Sequence, residues 1–402
     1  MKILHVAPSY LPAYRYGGPI LSVHSMNKWL ARAGVDVTVY TTNVDGKGTL
    51  DVPLGREILV DGVKVWYFPV SFPRAWTYSR ELRRALNKNV GNFDVVHITS
   101  VFLAASTLGA RAALRHKKPY IISPRGSLMK EPLSMRSAWK KKIYIFLVER
   151  RNLGNAAAVH FTTEKEKEEY IAAGFPMKKS IVIPNAYEES GKEKEMGTQV
   201  NVRKKLNIPE GVPIVLSLGR INWKKGFDTL IPAFKKVKET FPQSVLVVAG
   251  GDEEGYRDEV ERLASEEGMK INTDIKFTDG MVLGAEKAAL LEAATVFALP
   301  SYSENFGMAP IESMAHGTAV VVTRNIGIAT DIEKAGAGVV VEEKTVENNR
   351  KEEFADAVVK VLQEEGVEKR MGARARAFVA EAYAPARVAE RFAGLYNQVV
   401  KK

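Results

Sequence analysis

Short apolar runs alternate with longer stretches of helical spacing along most of the chain. Residues 2–6 and 35–41 read as buried strands, and the helical spacing over 19–33, stopped by Gly34, predicts a helix between them. Strand-like runs recur at 64–68, 95–98, 120–123, 157–161 and 180–183, the last leading into Pro184 and Asn185. A polar stretch with Gly191 and Gly197 follows, 187–200, and reads as a linker. The alternation then restarts, with strands at 213–218, 244–249, 275–277, 296–300 and 319–323 and helices at 228–239, 256–267, 285–294 and 309–316. Strands separated by helices predict mostly parallel sheets, and the restart predicts two consecutive α/β domains, residues 1–190 and 191–384. A last helix, 385–400, carries Val388, Phe392, Leu395, Tyr396 and Val399 on one face.

At 402 residues and 46% hydrophobic content the chain is long enough to bury two cores. It has no cysteine, so a disulfide framework, a thiolate zinc site and a cysteine nucleophile drop out, and a reducing compartment is the default expectation. The opening apolar stretch is broken by His5 and stopped by Pro8, too short for a secretory signal. The densest apolar run, 143–148, falls far short of the roughly 20 residues of a membrane-spanning helix, so a cytoplasmic location is expected. Charge changes the picture more. Net charge is +11, but residues 1–150 carry 23 Lys and Arg against 9 Asp and Glu, while 151–402 carry 35 against 38. A basic N-terminal half implies an anionic partner: nucleic acid, an anionic membrane surface or a phosphorylated substrate.

Ligands of open α/β sheets sit beyond the carboxyl ends of strands, so the loops there carry the candidate chemistry. The most specific is Ser303-Glu304-Asn305-Phe306-Gly307-Met308-Ala309-Pro310-Ile311-Glu312, which runs from a strand into a helix. Amides near Phe306, Gly307 and Met308 at a helix start offer an anion site, and the carboxylates Glu304 and Glu312 accept hydroxyl hydrogen bonds, a combination suited to a sugar phosphate. A capping acid in the first turn is the plainer reading of Glu312, but it leaves the loop acid Glu304 unexplained. In Gly219-Arg220-Ile221-Asn222-Trp223-Lys224-Lys225-Gly226, Arg220 and Lys225 can converge on a diphosphate, and a solvated basic loop is the alternative. Gly17-Gly18-Pro19 allows close backbone approach at a helix start, and in isolation is an ordinary turn. Val182-Ile183-Pro184-Asn185-Ala186 reads as a strand exit.

The spacing of Glu304 and Glu312, continuing into His316-Gly317-Thr318, resembles the signature of family 4, or group 1, retaining glycosyltransferases, and the resemblance spans the chain. It implies the GT-B fold, an α/β architecture of two Rossmann-like domains with parallel sheets facing across a cleft and residues 385–402 returning to the N-terminal domain. It also implies a nucleotide-sugar donor, with Arg220 and Lys225 on its phosphates, Glu312 on the ribose hydroxyls and Glu304 near the sugar. Gly17 and Gly18 match the family's glycine loop, and Gly219, Asn305, Phe306, Gly307 and Met308 complete the donor set. Backbone near Met281 is the expected neighbour of the base. One departure stands out: where many members carry a histidine after the strand at 120–123, this chain has Arg125. His97 and His160, at strand ends, are further cleft candidates, and histidines so placed are as often structural. No Asp-x-Asp occurs and no cluster has ligand spacing, so no metal and no cofactor are expected.

The acceptor expected is a glycan or a lipid-linked saccharide, as in surface-polysaccharide assembly. From Arg136 to Arg151, Trp139, Ile143, Phe146 and Leu147 recur at helical spacing among Lys140, Lys141, Lys142 and Arg150. Such a stretch fits peripheral contact with the inner face of an anionic membrane, or equally a core-facing stripe with solvated lysines. A nucleotide-sugar epimerase of the same fold and a non-catalytic sugar-nucleotide or membrane-binding module are the rival readings. Nucleic acid is not an expected partner, since base-reading and aromatic-platform motifs are not apparent.

Overall fold

A computed structural model describes residues 1–134, 138–188, 200–252, 254–342, 347–364 and 366–401. The polypeptide forms two compact units, Met1–Ala186 with Tyr383–Lys402, and Tyr187–Ala382. The expected linker falls outside the described residues except at 187, 188 and 200, as do the expected boundary at 190/191 and Arg136.

The first unit is built on an eight-stranded sheet. Its strands are β1 Lys2–Val6, β2 Asp36–Thr42, β5 Glu57–Val60, β6 Val63–Phe68, β7 Val95–Thr99, β8 Tyr120–Ser123, β9 Ala158–Phe161 and β10 Ser180–Val182, with β3 Val44–Asp45 and β4 Gly48–Thr49 forming a separate small hairpin. The order is β10-β9-β8-β7-β1-β2-β6-β5, parallel throughout except that β5 pairs antiparallel with β6. Every residue of β7, β8 and β9 is buried, as expected of parallel strands covered on both faces, and this is why they read as continuous apolar runs. The helix Pro385–Val400 packs its face of Val388, Phe392, Leu395, Tyr396 and Val399 into this unit's core beside Ile3, Val23 and Val95. Complete burial of one such side chain contributes about 1.5–3 kcal/mol, so the stripe holds the end of the chain firmly in place.

The second unit has six parallel strands, β11 Ile214–Leu218, β12 Val245–Ala249, β13 Ile275–Phe277, β14 Val296–Leu299, β15 Ala319–Thr323 and β16 Gly338–Val341, in the order β13-β12-β11-β14-β15-β16. Its core packs Phe227, Leu230, Ile231 and Phe234 of the helix Phe227–Thr240 with Phe354, Val358 and Val361 of the helix Glu347–Gln363. In both sheets the winding direction reverses once. The reversal falls between β1 and β7 in the first unit and between β11 and β14 in the second. Loops leaving such a pair of strands diverge to opposite faces and open a crevice at their carboxyl ends.

Candidate functional site

In the second unit the crevice is framed by the loops that follow β11 and β14. After β11, Asn222 Oδ1 accepts the Lys224 amide at 3.1 Å and starts a single turn of 3-10 helix, Trp223–Lys225. Gly226, in the left-handed region at φ +72, ends that turn and begins the helix Phe227–Thr240. A Cβ there would stand 2.2 Å from the Pro300 carbonyl oxygen, so only glycine lets the two loops press together. That approach brings Lys225 Nζ within 2.5 Å of Glu304 Oε1, with side chains 15% and 24% exposed. Arg220 is exposed and forms no ion pair among the described residues.

Glu304 is held by its main chain. Its amide donates to Asn325 O at 3.2 Å and its carbonyl accepts from Gly327 at 2.9 Å, clamping the loop onto the segment after β15. Asn305 is partly buried, Phe306 is buried, and Gly307 begins the helix Met308–Ala315 with no side chain capping it. Glu312 is the fifth residue of that helix and lies outside its first turn, which removes the capping explanation. It pairs with Lys287 at 3.2 Å, both side chains being 18% exposed. Gly219 sits at the start of the β11 loop, its amide on Ala249 O at 2.9 Å. Met281, half exposed, follows Thr278, whose hydroxyl accepts the Gly250 amide at 3.1 Å.

Three supporting residues are absent from the sequence reading. Lys287 is one; it lies on the helix Gly284–Ala293, and nothing near the motif marks it. Tyr302 is another, donating its hydroxyl to Asp228 and so tying the β14 loop to the start of the helix Phe227–Thr240. The third is Arg350, whose guanidinium lies 4.4 Å from the Tyr302 ring centroid and donates to Pro300 O at 2.6 Å. Both carboxylates of the loop motif are thus set on a braced frame, with a lysine beside each. Such a frame can bind polyol hydroxyls and phosphate oxygens together.

In the first unit, Gly17 has φ +68, and the helix Gly18–Arg32 starts one residue before Pro19. Arg125 follows β8 at φ +55, partly exposed, and donates through Nη1 to Asn185 Oδ1. Asn185, read from sequence only as a strand exit, is therefore the anchor of this arginine. Burial pulls the Arg125 pKa down to about 10, opposed by the nearby Glu166 carboxylate. Glu166 is itself buried and accepts the Gly126 amide at 2.6 Å and the Thr162 amide at 2.8 Å, which fixes the loop after β8. His97 and His160 are core residues, 0% and 1% exposed, which decides for the structural reading over the cleft one. His160 donates from Nε2 to Ile183 O at 2.8 Å and shares Nδ1 with Ser123 Oγ at 2.8 Å. His97 stacks on His5 with centroids 4.7 Å apart and meets the Tyr396 hydroxyl at 2.7 Å. Burial lowers the pKa of His5 to about 4 and of His160 to about 3, and drives that of His97 far down as well, so all three are neutral near pH 7.

The basic amphipathic stretch also resolves. Helix Ala138–Tyr144, a π-helical turn Ile145–Glu149 and helix Arg150–Asn155 turn Tyr144, Glu149 and Leu153 inward, with Tyr144 on Thr107 at 2.8 Å and Glu149 accepting the Phe102 amide at 2.8 Å. Trp139, Ile143, Phe146 and Leu147 are 63%, 51%, 75% and 66% exposed, so the stripe faces outward and the core-facing reading fails. Among the described residues no helix is long and apolar enough to cross a membrane, and no group of three or more His, Asp or Glu could hold a metal ion.

Two family models match the chain, Glycosyl transferases group 1 over residues 199–378 and Glycosyl transferase 4-like domain over 17–186. An uncharacterized glycosyltransferase of Methanocaldococcus jannaschii is 26% identical over 409 aligned positions, covering 99% of this chain and 98% of that protein. The 2-deoxystreptamine N-acetyl-D-glucosaminyltransferase of Niallia circulans is 24% identical over 396, covering 95% and 97%. The structure of HepE from Anabaena in complex with UDP and glucose superposes with a TM-score of 0.74 at 18% identity, over 99% of this chain and all of that one. With two parallel-sheet α/β units, GT-B structures as neighbours and a family match in each unit, the chain belongs to the group 1, family 4-type glycosyltransferases.

Proposed function

We propose that the protein transfers a sugar, with retention of anomeric configuration and without a metal ion, from a nucleoside-diphosphate sugar to a glycan or lipid-linked acceptor. The observation that carries the reading is the Lys225–Glu304 pair, set between the two loops that frame the β11/β14 crevice. The Lys225 ammonium has three N–H donors, and Glu304 takes one, which leaves the others for a phosphate oxygen. Exposed Arg220 adds a planar fork for the same diphosphate, and the two cations stabilise the charge that grows on the leaving nucleoside diphosphate. The second oxygen of Glu304 accepts a sugar hydroxyl, and Glu312, oriented by Lys287, accepts the ribose hydroxyls. Amides at Asn305 to Met308 donate to the donor's oxygens. Backbone at Gly219 and Met281 lines the nucleotide. In the first unit, Gly17 and Gly18 offer close backbone approach, and Arg125, held by Asn185, a guanidinium to a sugar or phosphate oxygen.

Retention follows from attack on the same face as departure. The anomeric carbon to phosphate-oxygen bond breaks, the acceptor oxygen bonds to that carbon, and its proton passes to the leaving phosphate. The complex of HepE with UDP makes UDP-sugars the first donors to try. Outward Trp139, Ile143, Phe146 and Leu147, flanked by Lys140, Lys141, Lys142, Arg150 and Arg151, support peripheral contact with the inner face of an anionic membrane and hence a lipid-linked acceptor. The test is nucleotide release from UDP-sugars, with and without membrane extract, in excess chelator. Release that needs both extract and Lys225 is expected. Isomerisation of the sugar without an acceptor, or release that stops with chelator, rejects the proposal.

A further inference from the structure

Away from the loops after β11 and β14, the first unit contains a cavity of about 230 Å³ between the helices Arg80–Asn89 and Ala104–Arg115. Arg83 lines it from one helix and Arg111 and Arg115, one turn apart, from the other, with Trp76 and Tyr78 at its wall. Arg115 donates to Asn87 at 2.9 Å, but none of the three arginines is ion-paired to a carboxylate among the described residues. All three are exposed, so they bring several guanidinium donors to the edge of one small space with no carboxylate to take them. An anion of that size answers both features. Its volume admits a phosphoryl group and a few further atoms.

Two lining residues, Thr107 and Trp76, tie the cavity to the helix that bears the outward apolar stripe. Thr107, which lines it, shares a 2.8 Å hydrogen bond with the hydroxyl of Tyr144. Tyr144 also meets the Trp76 indole and lies in the field of Arg111. Ile143 adjoins Tyr144, and Phe146 and Leu147 follow within a turn, all exposed. We infer that the cavity holds the phosphoryl head of a membrane-borne acceptor whose apolar chain lies along Trp139, Ile143, Phe146 and Leu147. This rests on the lipid-linked acceptor proposed above and narrows it to phosphate-bearing lipids. A head pinned by arginines and a tail in the bilayer surface orient the amphiphile with one end fixed.

The test uses the full chain and vesicles of phosphatidylcholine containing a fifth of either phosphatidic acid, a terminal phosphate, or phosphatidylglycerol, whose phosphate is internal. Wild-type protein is expected to prefer the phosphatidic acid vesicles by about tenfold, the effect of two lost charge-assisted contacts at a wet site. Arg83→Ala/Arg111→Ala should lose the preference while keeping the UDP-induced thermal shift. The charge-matched Arg80→Ala/Arg84→Ala, exposed on the same helix outside the cavity, should keep it. Equal binding to both vesicles, or a preference that survives in Arg83→Ala/Arg111→Ala, overturns the inference. So does glycerol 3-phosphate displacing the protein from vesicles at low concentration, which would assign the cavity to a soluble phosphate ester. Failure to bind any anionic vesicle counts instead against the membrane reading, and loss of the UDP shift in wild type against the donor reading.

Discussion

Replacing Lys225 with alanine separates a structural role from a chemical one. The ammonium and Glu304 carboxylate are 2.5 Å apart and mostly covered, 15% and 24% exposed, so the pair is neither a surface contact nor fully desolvated. Truncation leaves Glu304 without its cation; between the limits of about 0–1 kcal/mol for exposed pairs and 3–5 for buried ones, roughly 2 kcal/mol of stability should go. Removing one preorganised donor from the developing charge of a leaving group lowers turnover by about a hundredfold to a thousandfold. The double variant Lys225→Ala/Glu304→Gln removes the orphaned carboxylate as well. It should recover most of the lost stability in urea unfolding, yet stay at least a hundredfold slow in nucleotide release, in keeping with the lost donor. Turnover that recovers along with stability would show that the single variant fails only through its orphaned carboxylate and that neither the Lys225 nor the Glu304 charge takes part in the chemistry. Turnover unchanged in the single variant would remove Lys225 from the chemistry altogether.

Gly226→Ala, with its Cβ directed 2.2 Å from Pro300 O, should force the loops after β11 and β14 apart and weaken UDP binding by about tenfold or more, read by calorimetry; unchanged affinity would detach those loops from the donor. Phe392→Ala should cost about 3–5 kcal/mol in the unfolding of the first unit, because the ring is buried and stands 4.8 Å from the His160 centroid; a loss below about 1 kcal/mol would mean that the terminal helix is not docked there. Acid should destabilise the first unit. His5, His97 and His160 are held neutral in the folded state and take up protons once unfolded, so stability falls as pH drops below about 6.5, each histidine contributing up to about 1.4 kcal/mol per pH unit down to its depressed pKa. Urea midpoints at pH 7.5 and 5 test this, and a flat profile would contradict the burial of the trio.

The strands were legible because parallel strands covered on both faces must be apolar along their whole length, and the runs at 95–98, 120–123 and 319–323 nearly coincide with β7, β8 and β15. The helix Arg80–Asn89 was not, since it buries only Leu82 and Leu86 and is otherwise mostly charged or polar, leaving too few apolar positions to show a period. The Ser79 cap, accepting the Leu82 amide at 3.1 Å, was its available signal. β5 was also missed, although Asp61-Gly62, both at positive φ, is a strong two-residue hairpin signal. In the site, local motifs gave the positions of Glu304 and Lys225 along the chain. Their pairing, the Lys287 partner of Glu312 and the brace of Arg350 arise from contacts between residues 25 to 79 apart, which no local spacing encodes. The histidines stay ambiguous in the sequence because a strand end open to a crevice and one roofed by the terminal helix look alike there; the difference is made by Phe392 and Tyr396, almost 300 residues from His97.

The proposed function requires the loops after β11 and β14 to bind a nucleoside diphosphate sugar without metal. Thermal unfolding of the purified protein in chelator, titrated with UDP-, GDP-, ADP- and dTDP-sugars, tests it directly. A ligand at a hundred times its dissociation constant adds about 2.7 kcal/mol of stability. A saturable upward shift with one nucleotide, lost in Lys225→Ala, is expected. No shift with any of the four, or one that persists undiminished in Lys225→Ala, would contradict it.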